Sequence, residues 1–122
     1  MTWLALSLWL AALSVAAGAF GAHGLRARLE PSDLELWETA ARYLMYGALS
    51  LGLLGLGEHL GERSLRTPGL LLIGGTAIFA GTVAVLALGG PRWLGAITPI
   101  GGVGMIAGLA LGGWMLASEG RR

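Results

Sequence analysis

An all-α integral membrane protein, built as a four-helix transmembrane bundle with up-down topology, is the fold class this sequence predicts. Four apolar stretches, at about 3–22, 43–60, 69–89 and 98–117, fill most of the 122 residues. Each approaches the roughly 20 apolar residues a helix needs to cross the hydrocarbon core. Charged residues make up 12% of the chain, against about 25% in an average soluble domain. They collect at 26–42, 58–66, 92 and 119–122, between the apolar stretches. A soluble bundle would instead spread charge along one face of every helix. The hydrophobic share of 55% and the mean hydropathy of +0.72 agree. One transmembrane domain over 1–122 follows, with helices at about 3–22, 33–60, 69–89 and 98–117.

The first helix runs from Trp3 to about Ala22 and ends in Gly18-Ala19-Phe20-Gly21-Ala22-His23-Gly24, because glycines commonly terminate helices. A secretory-signal reading, with Ala17-Gly18-Ala19 as cleavage site, lacks a positive leading segment, and the apolar run exceeds the usual length of about 7–15 residues. The segment is therefore read as a retained membrane helix. The second helix has the clearest start: Ser32-Asp33-Leu34-Glu35 fits a capping box after Pro31. Its first turns are amphipathic. Glu35, Glu38 and Arg42 share one face, Leu34, Trp37, Ala41 and Leu44 the other. Glu38 and Arg42 are spaced for an ion pair in the favourable order. These turns belong at the membrane surface, with bilayer entry near Tyr43 and exit near Glu58-His59.

The third helix follows the short connection 61–68 and ends at a tight Gly90-Pro91-Arg92 turn. Trp93 to Ile97 reads as an interfacial piece. Thr98-Pro99 suits an N-cap followed by proline at the first helical position. The tryptophans fit this layout. Trp3 and Trp114 fall at one interface and Trp37 and Trp93 at the other, as aromatic belts do; Trp9 falls inside the bilayer. Orientation rests on arginine alone and is balanced: Arg63, Arg66, Arg121 and Arg122 on the side of the termini, Arg26, Arg28, Arg42 and Arg92 on the other. An Arg42 tied to Glu38 tips the reading towards cytoplasmic termini.

Three blocks carry a resemblance. Gly18-Ala19-Phe20-Gly21-Ala22-His23-Gly24-Leu25, then Trp37-Glu38-Thr39-Ala40 with Tyr43 and Tyr46, then Leu94-Gly95-Ala96-Ile97-Thr98-Pro99-Ile100-Gly101-Gly102, together resemble the small membrane proteins of domain-of-unknown-function family 423. That family also includes the eukaryotic transmembrane protein 256. The resemblance spans almost the whole chain in the right order. It implies a four-helix membrane protein that keeps its first helix, and it implies no activity. Two departures stand out. Gly47 occupies a position where the family usually has histidine, and Phe79-Ala80-Gly81-Thr82 replaces a Phe-Ser-Gly-Ser-like block. The first weakens an enzymatic reading.

Antiparallel geometry decides where chemistry could gather. His23 and His59 end successive helices at opposite membrane faces, roughly 30 Å apart, so one chain cannot use both on one metal or haem. The ends of helices one and three and the starts of two and four share the face opposite the termini. His23, Arg42, Tyr43, Tyr46, Thr98 and Pro99 are therefore the candidate ligand-binding residues, with Glu38 and Arg92 nearby. Histidine changes charge near neutral pH, and ionisable groups at membrane depth are functional candidates. Arginine suits an anion or a lipid headgroup. The plainer alternative is that His23 ends a helix, Arg42 pairs with Glu38, and the tyrosines belong to an aromatic belt. Gly104, Gly108 and Gly112 lie on one face of the fourth helix and serve close helix packing, either within the bundle or in a homo-oligomer.

Other classes are disfavoured. The chain has no cysteine, which excludes disulfides and thiolate metal sites, and a net charge of +1, which leaves no nucleic-acid footprint. All eight basic residues are arginine, a bias that suits a GC-rich genome. No phosphate loop, zinc-spaced histidine pair or nucleophile elbow appears. The helix cores hold no Asp, Glu, Lys or Arg, against a transporter with a buried carboxylate. The halves show no inverted repeat. The expectation is a non-enzymatic, multi-pass protein of a bacterial inner membrane. It uses no cofactor, no metal and no catalytic residue, and binds membrane lipids or a partner protein. A small oligomeric transporter or channel is the alternative.

Overall fold

The computed structural model describes residues 2–61 and 63–119. Glu62, Arg121 and Arg122, the last two counted for orientation, lie outside these residues. The described chain is helical throughout: α1 (Thr2–Phe20), a π-helical turn (Gly21–Leu25), α2 (Pro31–Gly61), α3 (Arg66–Ala87) and α4 (Leu94–Glu119). Three stretches, Trp3–Leu25, Arg66–Ala87 and Leu94–Ser118, are long and apolar enough to cross a membrane. The second helix is the longest at 31 residues, yet Asp33, Glu35, Glu38 and Arg42 polarise its first turns and Glu58-His59 its last.

Helix ends differ from the sequence reading in ways the backbone explains. The glycines after Phe20 do not stop α1; the chain stays helical to Leu25 by widening into a π turn. Glycine permits termination but forces it only where a left-handed conformation is adopted, and Gly89 is the one described glycine with positive φ, at 92°. There the stop is complete. Gly89 N–H donates to Leu86 C=O at 3.1 Å and Gly90 N–H to Val85 C=O at 2.8 Å, which is the Schellman arrangement.

The capping box does not form. The first bond of α2, from Leu34 N–H to Glu30 C=O at 2.9 Å, makes Pro31 the first helical residue, where its missing N–H costs nothing. Ser32 then sits inside the first turn. Thr98-Pro99 is likewise not a helix start. Leu94, Gly95 and Ala96 N–H groups bond to Pro91, Arg92 and Trp93 carbonyls at 3.0–3.2 Å. These turns seed α4 five residues before Pro99, which lies within the helix and denies Gly95 C=O its usual donor.

Successive helices run antiparallel. Ser14 Oγ donates to Ala41 C=O at 2.6 Å and Trp37 Nε1 to Ala17 C=O at 2.8 Å, which binds α1 to α2. The Tyr43 and Phe79 rings, 4.6 Å apart, join α2 to α3. The Thr82 and Thr98 hydroxyls, 2.6 Å apart, join α3 to α4. The α3–α4 seam is the closest. A Cβ at Gly108 would lie 2.7 Å from Leu72 N and 2.9 Å from Pro68 O, and one at Gly104 would lie 3.0 Å from Gly75 Cα. A Cβ at Gly112 would lie 2.6 Å from Leu54 Cδ2 of α2. In lipid, where apolar burial gives little drive, such close backbone approach is what holds helices together.

The two ends of the molecule pack differently. Leu51, Leu54, Leu65, Leu72 and Met105 form the core, all in the half nearer the α2–α3 connection or at mid-depth. That connection is tied down. Glu58 Oε2 accepts from Leu65 N–H at 2.7 Å, and Arg63 Nη1 donates to Met115 C=O at 3.1 Å near the end of α4. Glu58 thus holds a loop at the end of α2. In this half Trp3 of α1 also reaches α3, its indole 2.9 Å from where a Gly69 Cβ would stand. Outward faces of α1 and α4 expose Leu8, Trp9, Val103, Ile106 and Trp114, a surface suited to lipid tails.

Candidate functional site

The motif residues divide into three groups. His23 and Arg42 are exposed, and neither makes a hydrogen bond or ion pair among the described residues. The expected Glu38–Arg42 pair is not formed, so the reason it supplied for cytoplasmic termini falls away. Tyr43 and Tyr46 meet edge to face at 5.1 Å, and Tyr43 continues to Phe79. Tyr46 remains 49% exposed, leaving an aromatic ledge on the outer side of α2.

Thr98 faces α3 and Pro99 faces outward. Thr82 Oγ1 lies 2.7 Å from Ile78 C=O and 3.2 Å from Phe79 C=O, so its proton goes to its own helix. Thr98 is then free to donate across to Thr82 or back to Leu94 C=O at 3.0 Å. Both hydroxyls are used, and a Thr98 serving the seam is not a free ligand donor. Gly104, Gly108 and Gly112 all lie against neighbouring helices of the same chain. Self-association through that face would require α3 to leave it.

What the motif reading missed lies beside these residues. Towards the face that carries His23, α1 and α3 part and leave a groove of about 340 Å³ over α2. Leu10, Leu13 and Ala17 form one wall, Ala77, Ala80, Gly81 and Ala84 the other, with Trp37, Ala40, Ala41 and Leu44 of α2 beneath. Its lining is apolar. The cause is in the side chains. Where the other half fills the interhelical space with leucine, this half has alanine and glycine, too short to meet across α2.

Trp37 forms the end nearest the connection. Its indole N–H is spent on Ala17 C=O, and Gly21 makes room for it, since a Cβ there would lie 2.6 Å from Trp37 Cδ1. Phe20 packs edge-on against it at 6.2 Å. The π turn and the connection that lead from α1 to α2 carry exposed His23, Arg26 and Arg28. An apolar slot in the membrane ending beneath cationic side chains can hold a hydrophobic chain with an anionic head. The signal in the sequence was alanine at facing positions of three helices, Ala17 on α1, Ala40 and Ala41 on α2, and Ala77 and Ala84 on α3, which reads equally as tight packing.

Fold and surface together define a small helical membrane protein. The chain belongs to the family described as protein of unknown function (DUF423), whose model matches residues 17–102. A UPF0382 membrane protein of Staphylococcus haemolyticus is 44% identical over 96 residues, covering 79% of each chain. One from Bacillus subtilis is 42% identical over 98 residues, covering 79% of this chain and 80% of its own. One from Schizosaccharomyces pombe is 41% identical over 104 residues, covering 80% and 86%. No solved structure matches the chain.

Proposed function

We propose that this protein is a non-enzymatic lipid-binding protein, a four-helix up-down transmembrane bundle that seats a lipid chain in the α1–α3 groove. The groove is the observation that carries the reading. It is apolar, it opens sideways at membrane depth, and its surroundings there are lipid tails. The exposed Arg26 and Arg28 near its upper end favour an anionic headgroup, with Arg42 on the same face as a further cation and the exposed His23 as a polar neighbour. The non-enzymatic part rests on Gly47 standing where the resemblance expects histidine. Staphylococcal and Bacillus relatives favour a bacterial membrane, and the inner membrane is the location this reading assigns.

Spanning by α2 is part of the proposal, supported by its antiparallel contacts with α1 and α3. The chain has no cysteine, so single cysteines report cleanly. Ala27→Cys and Arg92→Cys should react with an impermeant maleimide from one side of the membrane and Ser64→Cys from the other. Reaction of all three from one side would remove the four-span topology.

Gly81→Leu tests the binding. Gly81 lines the groove and has open space where its Cβ would stand, so leucine fills the slot without displacing the backbone. Native mass spectrometry of protein gently extracted from its membrane should show a retained lipid in wild type and its loss in Gly81→Leu at unchanged thermal stability. Equal retention in both would remove the groove as the site.

A further inference from the structure

Resting on that reading, we infer that Leu10 is the floor of the slot and sets the length of lipid chain it accepts. Leu10 lines the groove and also packs against the buried core of Leu51, Leu54, Leu65, Leu72 and Met105. Among the groove's lining residues it alone has both roles, so it marks where open slot becomes filled interior. Beneath it, Leu6 and Ile73 are already packed on that core.

The upper limit of the slot is also fixed. Trp37 is held by its bond to Ala17 C=O and by the space at Gly21. On α1 the slot therefore runs from Ala17 down to Leu10, a rise of seven residue steps, or about 10 Å at 1.5 Å per residue. That is about a third of the hydrocarbon thickness, shorter than one leaflet, and it extends from Leu10 towards the side that carries His23. A chain entering beneath the cationic connection reaches Leu10 and meets side chains already packed on the core. A longer chain must turn out sideways between α1 and α3 and forfeit the walls. The occupant is thus an anionic single-chain or diacyl lipid with one chain seated, and the rest of the molecule stays in the bilayer.

The experiment offers the wild-type protein an equimolar series of phosphatidylglycerols differing only in saturated chain length, in detergent, and reads the retained species by native mass spectrometry. Leu10→Ala opens space towards Leu6 and should move the preferred chain to greater length. Leu10→Phe advances the floor and should move it to shorter length. A merely structural role would lower retention of every chain alike and would not give shifts of opposite sign. Unchanged length preference in both variants, with helical content and retention intact, overturns the inference while leaving the groove a lipid site. Failure of wild type to retain any phosphatidylglycerol, or retention indifferent to Gly81→Leu, overturns the lipid reading itself.

Discussion

Thr76 is the buried polar group whose hydroxyl finds no partner among the described residues; it is 2% exposed. It faces Gly47, where an added Cβ would run into its side chain. Glycine at 47 and threonine at 76 are therefore one packing decision, and a histidine at 47 could not be accommodated with Thr76 in place. An unpaired buried hydroxyl costs roughly 1–3 kcal/mol, and valine has nearly its shape. Thr76→Val should leave the fold intact and raise thermal stability in detergent by about 1 kcal/mol. Destabilisation would mean that the hydroxyl has a partner. Ser32 teaches the converse. Its spacing to Glu35 is that of a capping box, but Pro31 takes the first helical position, so Ser32→Ala should not carry the roughly 1 kcal/mol cost of a lost cap. Capping patterns are local, and a neighbouring proline decides which residue occupies the cap.

Between elements, the glycines of α4 set how closely the helices approach. Gly104 and Gly108 approach α3 within van der Waals contact of its backbone, and Gly112 receives Leu54. Gly108→Leu must push α4 away from Leu72 and Pro68 along its whole seam, and the Thr82–Thr98 contact goes with it. A loss of at least about 2 kcal/mol, the range for severe overpacking, should appear as a lowered midpoint in thermal unfolding. An unaltered midpoint would show that α4 sits elsewhere. The spacing alone left open whether these glycines face a neighbour in the chain or a second copy, because it fixes a face and not its occupant. The starts of α3 and α4 were misjudged for a related reason. Leu65 and Trp93 begin their helices through backbone turns and, at Leu65, a Glu58 carboxylate seven residues away, none of which a cap motif encodes.

Over the whole molecule, the membrane class and helix order were legible because hydropathy and charge segregation are averages over many residues. The groove was not. It depends on where α1 and α3 diverge, which follows from Trp3 meeting Gly69 at one end while alanines face each other at the other. Motif spacing led instead to His23, Arg42, Tyr43, Tyr46, Thr98 and Pro99, which the fold places on one side but does not bring into a single cluster. None of the six lines the groove. The outward faces of α1 and α4 are as apolar as its lining, so a lipid-exposed helix alone would explain adhesion but not a seat. A photoactivatable phosphatidylglycerol carrying a diazirine near the middle of one chain separates the two. Reconstituted with the protein and irradiated, it should give adducts concentrated on Leu10, Leu13, Leu44 and Ala80, with loss of those adducts in Gly81→Leu. Adducts spread over Leu8, Trp9, Val103 and Ile106, and unaltered by Gly81→Leu, would contradict a lipid seat in this protein.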